Sequence, residues 1–502
     1  MKNIVNYILF ILTFSLIIVS CDPENVIDTP DKGKAETAAD YIWDDSNVKT
    51  ISFSNTSISA SSPDVIINGT TATITKAGYY SVSGNLTDGQ LIVNAPKAKM
   101  KIMLSGVTMS NSTTAPVYIQ SASKVIVFLK TGTTNTFSDA SIYTNTGEPK
   151  ATFFSNAYLA FTGDGTLTIQ GNYNDGISCD DEIIINNGKI NVSALDDAIR
   201  AKDYLLIHDG KINCTGITGH ALKADSTDVP GRGYVKIDGG DFSLSSAQGD
   251  GIHTYKRIII EDGIFDITSD DSQALRSDSL VLISGGTINV TNSKQGIESP
   301  YITIAGGTTN ISTSKIAINA TFGNSTATAD SSLLTVSGGN LNVNSLSYAF
   351  SSDGNINISG GTTVLQGALS TSKPVVRYAG EFTISNGLFI GCGPNAGSAI
   401  KGFSAASTQN SVKIASSSIA TNLINIQNAG GNSLATFKPI RTSYYILFSS
   451  PALQTAGSYS IFSGGSYTGG TSQNGYYTNG TYSGGTKKTT FTVSSNITEV
   501  SF

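Results

Sequence analysis

The chain has few residues of the kinds that most metal-binding and nucleic-acid-binding proteins use. Only 14% of its 502 residues are charged, and it holds three histidines, four cysteines and one tryptophan. A nucleic-acid-binding protein needs a basic face, which 31 basic and 37 acidic residues do not indicate. The cysteines lack metal-ligand spacing, and the thin supply of nitrogen and sulfur ligands argues against zinc or copper.

The chain is rich instead in glycine and in alternating apolar residues. It contains 52 glycines, and its hydrophobic content of 39% argues against disorder. No helical period of 3.6 residues runs through the central part of the sequence. This composition indicates a folded all-β chain with many turns.

The first residues have the pattern of a bacterial lipoprotein signal. Lys2 precedes an apolar run from Ile8 to Val19, which is too short for a comfortable membrane span. The run leads into "IIVSC", with a small residue directly before Cys21. We predict a signal peptide at 1–20, lipidation of Cys21 and a flexible tether at 21–47. The protein would then be exported and lipid-anchored to the outer membrane or cell surface; the alternative is an ordinary signal peptide.

A glycine-centred repeat dominates residues 183–366. Apolar residues recur at positions −5, −3, +2 and +4 around each glycine, as in Val281, Ile283, Ile288 and Val290 around Gly286. The repeat glycines, at intervals of 21 to 32 residues, are Gly188, Gly210, Gly240, Gly263, Gly286, Gly307, Gly339 and Gly361.

This alternation predicts two short strands joined by a glycine turn, with a third short strand completing each unit. Stacked three-strand units describe a right-handed parallel β-helix, a solenoid, which we predict for 48–380. The repeat fades after that, and we predict an irregular β C-terminal cap at 381–502. Tyrosines of this tail either close the end of the solenoid or stack on sugars.

Insertions and cysteines also have predicted places in the repeat. The two longest intervals hold Asp225–Gly233 and Phe322–Ser331, which we expect as loops on one face. Cys179 and Cys214 fall at inward positions and are expected to be inert core thiols. With Cys392 the number of cysteines after Cys21 is odd, so at least one thiol is free.

The start of the third strand forms a polar column. Asp175 and Asp197 should stack about 4.8 Å apart, where one would be protonated unless a cation lies between them. Asn174 and Asp196 stand beside them, and oxygen ligands of this kind suit calcium. The alternative is a solvated turn edge. The full column is Asp175, Asp197, His220, Asp250, Gln273 and Gln295.

Two further outward columns alternate cations and acids. They offer either salt bridges between neighbouring coils or a groove for anionic sugars, whose carboxylates would pair with basic side chains. The first column is Ser178, Arg200, Lys223, His253, Arg276 and Glu298, and the second is Asp180, Lys202, Asp225, Tyr255, Asp278 and Pro300. The predicted carbohydrate-binding residues are Arg200, Lys202, Lys223, His253 and Arg276.

Three stretches, in the same order, carry a family resemblance. They are the run Ala77–Leu129, then "GEPKATFFSNAYLAFTGDGTLTIQGNYNDGIS", and the tail Leu447–Gly470. From about Ile51 onward the chain resembles a bacterial calcium-containing carbohydrate-binding domain family with a polysaccharide-lyase-like β-helix. That family includes a clostridial cell-surface protein that binds cellulose and pectic polymers.

The resemblance implies a right-handed β-helix, bound calcium and sugar binding rather than demonstrated cleavage. The family's acidic metal positions correspond to Asp175, Asp180, Asp181, Asp197 and Asp250. Later coils depart from the pattern, because His220, Gln273 and Gln295 stand where acids are expected.

Three functions therefore remain open at the level of sequence. The first is a lipoprotein that binds a pectin-like or other plant polysaccharide with calcium, as a monomer that meets the membrane only through its anchor. The second is a calcium-dependent uronate lyase with Arg200, Lys202, Lys223 or Arg276 as the base. The third is an adhesive solenoid without a sugar ligand. No catalytic residue is assigned.

Overall fold

A computed structural model describes residues 36–144, 150–227, 230–323, 329–368, 372–417 and 419–502. Within these ranges the chain is built from strands, with two short 3₁₀ helices at Ala38–Tyr41 and Gly397–Ala399. None of the helices in the described ranges is long and apolar enough to cross a membrane. The predicted signal peptide and Cys21 lie outside the described residues.

The first ten strands lead into the repeat. They are β1 Val48–Asn55, β2 Ser57–Ala60, β3 Val65–Asn68, β4 Thr71–Ile74, β5 Gly78–Leu86, β6 Gln90–Asn94, β7 Lys99–Ser110, β8 Val117–Ser121, β9 Lys124–Leu129 and β10 Thr134–Ser138.

The central strands form the repeat itself. They begin with β11 Ala151–Ser155, β12 Tyr158–Thr162, β13 Thr166–Gly171, β14 Asp175–Cys179, β15 Ile183–Ile185, β16 Lys189–Ala194, β17 Ile199–Ala201, β18 Tyr204–Ile207, β19 Lys211–Ile217, β20 Leu222–Ala224, β21 Tyr234–Ile237, β22 Asp241–Ser246, β23 Ile252–Thr254 and β24 Arg257–Ile260. They continue with β25 Ile264–Ser277, β26 Leu280–Ile283, β27 Thr287–Ser299, β28 Tyr301–Ile304, β29 Thr308–Thr313, β30 Ile318–Ala320, β31 Leu333–Val336, β32 Asn340–Ser345, β33 Phe350–Ser352, β34 Asn355–Ile358, β35 Thr362–Gln366, β36 Val376–Tyr378, β37 Phe382–Ile384 and β38 Leu388–Gly393.

The last strands make up the C-terminal part. They are β39 Ser411–Ala415, β40 Ile424–Asn428, β41 Ser433–Phe437, β42 Tyr445–Ser449, β43 Ser458–Ser463, β44 Ser466–Gln473, β45 Tyr476–Ser483, β46 Thr486–Thr492 and β47 Ile497–Ser501.

Most strands of the repeat pair in parallel with the equivalent strand one unit away, which produces three ladders. The first ladder is β8, β11, β14, β17, β20, β23, β25, β27, β30, β33 and β36. The second ladder is β9, β12, β15, β18, β21, β24, β26, β28, β31, β34 and β37. The third ladder is β10, β13, β16, β19, β22, β25, β27, β29, β32, β35 and β38.

The prediction of an all-β chain is confirmed, with one large and mostly parallel sheet of 41 strands. The handedness and closure of a β-helix stay predictions. One apolar cluster contains the inward residues of all three ladders, and Ile177, Ile185 and Ile190 are each fully buried in it. Successive residues of a strand point to opposite sides of the sheet, so the residues that alternate with these inward-facing ones point outward.

Glycine makes the turn between the second and third ladders. The eight repeat glycines all have positive φ, between 70° and 129°. A Cβ on Gly286 would lie 2.7 Å from the carbonyl oxygen of Gly263, one unit away. Both the backbone conformation and the close stacking of turns therefore require glycine at this corner.

The insertions and cysteines lie where the repeat places them. Both insertions fall between the first and second ladders, one between β20 and β21 and the other between β30 and β31, and residues 228–229 and 324–328 within them lie outside the described residues. Cys214 pairs in register with Val192. Cys179, Cys214 and Cys392 are free and buried, and burial raises the pKa of each thiol, so all three are inert core residues.

The C-terminal part closes one end of the large sheet. Strand β42 pairs antiparallel with both β38 and β39, and β47 extends this edge. A separate six-stranded sheet has the order β44-β45-β41-β40-β43-β46. Buried Tyr445 accepts a 2.6 Å hydrogen bond from the Val375 amide, so this tyrosine acts as part of the cap.

The predicted tether reaches Asn47, but its last residues lie on the outer side of the second ladder. Asp40 is fully buried and pairs with Lys99 and with Lys124, the latter at 2.9 Å. Burial alone would raise the pKa of Asp40, but hydrogen bonds from these two lysines hold it at about 2. Trp43 packs edge-on against Phe128, with ring centroids 5.2 Å apart. Residues 36–47 are therefore ordered against the sheet and are not part of a flexible tether.

Replacing Gly286 with alanine tests the glycine corner. The new Cβ meets the Gly263 carbonyl while φ stays in the left-handed region, so we expect the free energy of unfolding to fall by about 1–3 kcal/mol. Chemical denaturation measures this loss. Gly402→Ala is the control, because nothing lies within 4 Å of a Cβ there. Equal stability of the two variants would contradict the stacking argument.

Candidate functional site

The first ladder aligns the predicted outward column. Register pairs Ser178 with Arg200, Arg200 with Lys223, and Lys223 with His253. The pairing continues to Arg276 and then to Glu298. The alignment read from the sequence is therefore confirmed, while the binding roles of these residues stay predictions.

Two aromatic residues extend this column at its N-terminal end. Phe154 pairs with Ser178 on one side and with Tyr118 on the other. The two rings lie 6.0 Å apart and are partly exposed. We call the outward column the first-ladder face; it consists of Tyr118, Phe154, Ser178, Arg200, Lys223, His253, Arg276 and Glu298. The sequence analysis missed the aromatic pair, although the repeat spacing could have been extended back to it.

Asp175 and Asp197 come together, as predicted, and Asp196 joins them. One carboxylate oxygen from each lies within 4.8 Å of the others, and we call this set the Asp175 cluster. Oδ1 of Asp175 accepts hydrogen bonds from the Asn174 side chain at 2.9 Å and the Asp197 amide at 3.2 Å. Burial and then the charge of Asp197 raise the pKa of Asp175 to about 7. The cluster therefore carries negative charge that its surroundings compensate only in part.

The neighbouring cations contact carboxylates of the protein itself. Arg200 pairs with Asp225 at 2.6 Å, and one of its N–H groups donates to the Ser178 hydroxyl at 3.2 Å. Lys223 pairs with Asp197 at 2.8 Å. Burial lowers the pKa of Arg200 and Lys223, but the charges of Asp225 and Asp197 outweigh burial, and both pKa values are raised. Protonated side chains of this kind are poor candidates for the base of a lyase.

Asp250 belongs to a different cluster from Asp175. Its Oδ2 lies 2.8 Å from Nδ1 of His253, and its amide donates to Nδ1 of His220 at 2.9 Å. The two imidazole rings stack with centroids 4.4 Å apart. Burial, with the charge of His253, lowers the pKa of His220 to about 4. The register keeps Asp250 in the predicted column, but His220 lies between Asp197 and Asp250, so Asp250 groups with the two histidines and not with Asp175.

Asp180 and Asp181 also lie apart from the Asp175 cluster. Asp181 groups with Glu182 and Asp203, all buried, and Asp203 pairs with Arg232 at 3.0 Å. Asp180 is exposed. Of the five acids that the resemblance implied, Asp175 and Asp197 thus share one cluster, whereas Asp180, Asp181 and Asp250 lie outside it. Glu182 and Asp203 were missed, although Asp181 and Asp203 lie one repeat apart.

The remaining predicted sugar-binding residues differ in exposure. His253 is buried against Asp250 and presents little surface to a ligand. Lys202 is exposed, and the side chain of Arg276 is 43% exposed with its Nε 4.0 Å from Glu298. The cations open to a ligand are therefore Lys202 and Arg276 rather than Arg200 and Lys223.

Comparison with known proteins defines the family. Residues 68–320 and, overlapping them, 275–371 match the family described as carbohydrate-binding domain-containing protein. The chain belongs to this carbohydrate-binding domain family. The match spans the first-ladder face, which extends from Tyr118 to Glu298.

Two proteins to which the chain is similar can be named. A carbohydrate-binding domain-containing protein of Acetivibrio thermocellus is 34% identical over 156 residues, or 30% of this chain and 54% of the relative. The chain thus spans about half of the length of that relative. A solved polysaccharide lyase-like protein from C. thermocellum, studied as a gadolinium derivative, is 25% identical with a TM-score of 0.42. That likeness covers 54% of this chain and 97% of the other.

The Asp175 cluster fits the donor chemistry that calcium requires. Its ligand atoms are the carboxylate oxygens of Asp175, Asp196 and Asp197, and calcium prefers such hard oxygens, whereas Asn174 presents its NH₂ group to Asp175. Burial first, and then the charge of Asp197, raise the pKa of Asp175, and a bound cation would relieve the repulsion between the two carboxylates. The set at Asp250 fits less well, because two of its three donors are imidazole nitrogens.

Replacing Asp175 with asparagine tests the electrostatics of the cluster. The measurement is made with a chelator present. The pKa of about 7 exceeds the ordinary value of 3.8, so the folded protein holds the extra proton between these values. The wild type therefore loses stability as pH rises from about 4 to 7. We expect the melting temperature of Asp175→Asn, relative to the wild type, to increase over this window.

The exposed Asp278 provides the control for this measurement, as Asp278→Asn. Its melting temperature relative to the wild type should not increase over the same window. A constant difference between Asp175→Asn and the wild type from pH 4 to 7 would show that Asp175 is not raised in pKa.

Proposed function

We propose that the protein is a lipid-anchored polysaccharide-binding protein that binds its polymer along the first-ladder face, with calcium at the Asp175 cluster. The observation that carries this proposal is the outward column itself, in which an aromatic pair is continuous with a run of polar and charged residues. Membership of the carbohydrate-binding domain family supports a glycan as the partner. Pectin-like or other plant glycans with uronate groups fit the exposed cations.

The spacing of the face suits a linear polymer. Strands of the ladder repeat about every 4.8 Å, so equivalent contacts recur along one direction. The apolar faces of Tyr118 and Phe154 provide surfaces on which sugar rings can stack, while phenolic oxygen adds a polar contact. Arg276 and Lys202 can pair with uronate carboxylates through charge-assisted hydrogen bonds.

Asp175, Asp196 and Asp197 are the residues that would hold calcium. When bound, the ion would supply positive charge that links protein carboxylates to a uronate carboxylate. The basic residues around the site pair with carboxylates of the protein: Lys223 orients Asp197, and Arg200 holds Asp225 in place. Asp180, Asp181 and Asp250 are not part of this proposed site.

The architecture proposed for this face is a right-handed parallel β-helix. Pairing between equivalent strands, three elements apart in sequence, supports it, and right-handed crossovers are the rule for parallel strands. A lipid on Cys21 would tether the helix to the membrane surface. Residues 36–47 pack on the second ladder, so they would then fix where the anchored segment joins the domain.

Retention on insoluble glycans tests the proposed function. The purified protein without its lipid is applied to calcium pectate and to a panel of plant polysaccharides, with calcium or with chelator. We expect retention on at least one uronate-containing glycan and at least about tenfold weaker retention in chelator, because the carboxylates of the Asp175 cluster would then repel the polymer. Absence of retention on every glycan in both conditions would refute the proposal.

The aromatic pair gives a site-specific version of this test. Tyr118 and Phe154 are replaced together with alanine, and we expect retention on the bound glycan to weaken by about tenfold, because stacking surface is lost. The matched control replaces Tyr301 and Phe322, an exposed pair outside the first-ladder face with ring centroids 5.8 Å apart. Equal losses from the two double variants would exclude a specific role for the aromatic pair.

A further inference from the structure

The outward side of the third ladder carries a column of amides. Register stacks Asp266, Asn289, Asn310 and Asn342 on consecutive strands β25, β27, β29 and β32. Asparagine is depleted in strands, so three asparagines at one strand position need a reason. Neither the predicted calcium site nor the first-ladder face includes them.

The amides form a directed chain of hydrogen bonds. Asn342 donates to Asn310 at 3.0 Å, Asn310 donates to Asn289 at 2.9 Å, and Asn289 donates to Asp266 at 3.1 Å. A side-chain amide has two N–H donors and an oxygen with two lone pairs. The chain uses one donor and one lone pair of Asn289, so half of its capacity remains for a ligand or solvent.

The tip of the β44–β45 hairpin forms a wall beside this column. Gln473 donates to the Asn310 oxygen at 3.0 Å. Asn474 donates to the carbonyls of Val343 and Val364 at 3.0 and 2.9 Å, which fixes the tip against the third ladder. The amide column and a segment distant in sequence therefore enclose a common space.

That space is a groove of about 520 Å³, within the range of small-molecule sites. We call it the amide groove. Its lining residues are Asp266, Asn289, Val290, Thr291, Asn310, Ile311, Ser312, Asn342, Asn344, Gln473 and Asn474. Asp266 is the one charged residue among them, and Arg441 beside the groove already donates to Asn344 and to the Gly367 carbonyl.

We propose that the amide groove binds a segment of an uncharged, hydroxyl-rich saccharide, at a site separate from the first-ladder face. Sugar hydroxyls both donate and accept, as the free positions of stacked amides do. The carboxylate of Asp266 would repel a uronate, so the groove favours neutral sugars. This inference does not depend on calcium or on the first-ladder face, although both sites would take a glycan.

The same chain contains a matched pair of amides outside the groove. Asn213 donates to Asn191 at 2.7 Å on β19 and β16 of the same ladder. This pair has the stabilising bond of a stacked amide but does not line the amide groove. It therefore separates a structural role of stacked asparagine from a role in binding.

Titration calorimetry with cellohexaose, xylohexaose and mannohexaose tests the proposal on the folded protein. We expect at least one of these to bind the wild type. Asn289→Thr and Asn310→Thr, which keep a residue favoured in strands, should weaken that binding by about tenfold or more. Asn213→Thr should bind as the wild type does. Melting curves verify that each variant is folded, and Gln473→Ala gives the same test from the hairpin if a ladder variant unfolds.

Three results would overturn the proposal: no binding of any neutral hexasaccharide by the wild type, unchanged binding by the groove variants, or an equal loss in Asn213→Thr. Retention on calcium pectate is measured in parallel for every variant. We expect the groove variants to keep it. If the wild type binds a neutral hexasaccharide but is not retained on calcium pectate, that result would refute only the proposed function.

Discussion

Parallel stacking at about 4.8 Å is the constraint on which the rest of the structure depends, because it places each side chain directly beside its equivalent in the next unit. The side chain at every outward or inward position must therefore pack beside the equivalent side chain of the neighbouring unit. Aliphatic side chains satisfy this in the core by packing, as the fully buried series Ile177, Ile199 and Leu222 does. At the corner between the second and third ladders glycine satisfies it, because any Cβ would enter the turn of the neighbouring unit.

Polar residues meet the same constraint in two ways. Asparagine is complementary to itself, since its amide donates to one neighbour and accepts from the other, which is the arrangement of Asn289, Asn310 and Asn342. Carboxylates are not complementary to themselves, because their like charges repel. The stacked Asp175 and Asp197 therefore need cations beside them. Lys223 pairs with Asp197 at 2.8 Å, whereas Arg200 remains 3.9 Å from Asp175 and only partly offsets the burial and the charge of Asp197 that raise the pKa of Asp175.

The repeat made much of this arrangement predictable. Glycine spacing and apolar alternation led to the three strands of each unit, and the aligned triplets led to the register of Arg200, Lys223 and His253. Side-chain partners were not predictable in the same way, because they depend on rotamers and on loops outside the repeat. Asp225 belongs to an insertion, yet it captures Arg200. Likewise His220 separates Asp250 from the Asp175 cluster, and the amide groove requires Gln473 from the C-terminal sheet.

These pairings decide how the first-ladder face could select an anionic polymer. A uronate that approached Arg200 would have to replace Asp225, and the exchange of one carboxylate for another brings little net free energy. A uronate that bound Lys223 would likewise replace Asp197, and the buried Asp197 carboxylate would then keep an uncompensated charge. Under the proposed function, selectivity for uronates would therefore come from the exposed Arg276 and Lys202, and from any cation held by the Asp175 cluster. Arg200 and Lys223 act first to make stacked carboxylates tolerable, and only through those carboxylates do they influence a ligand.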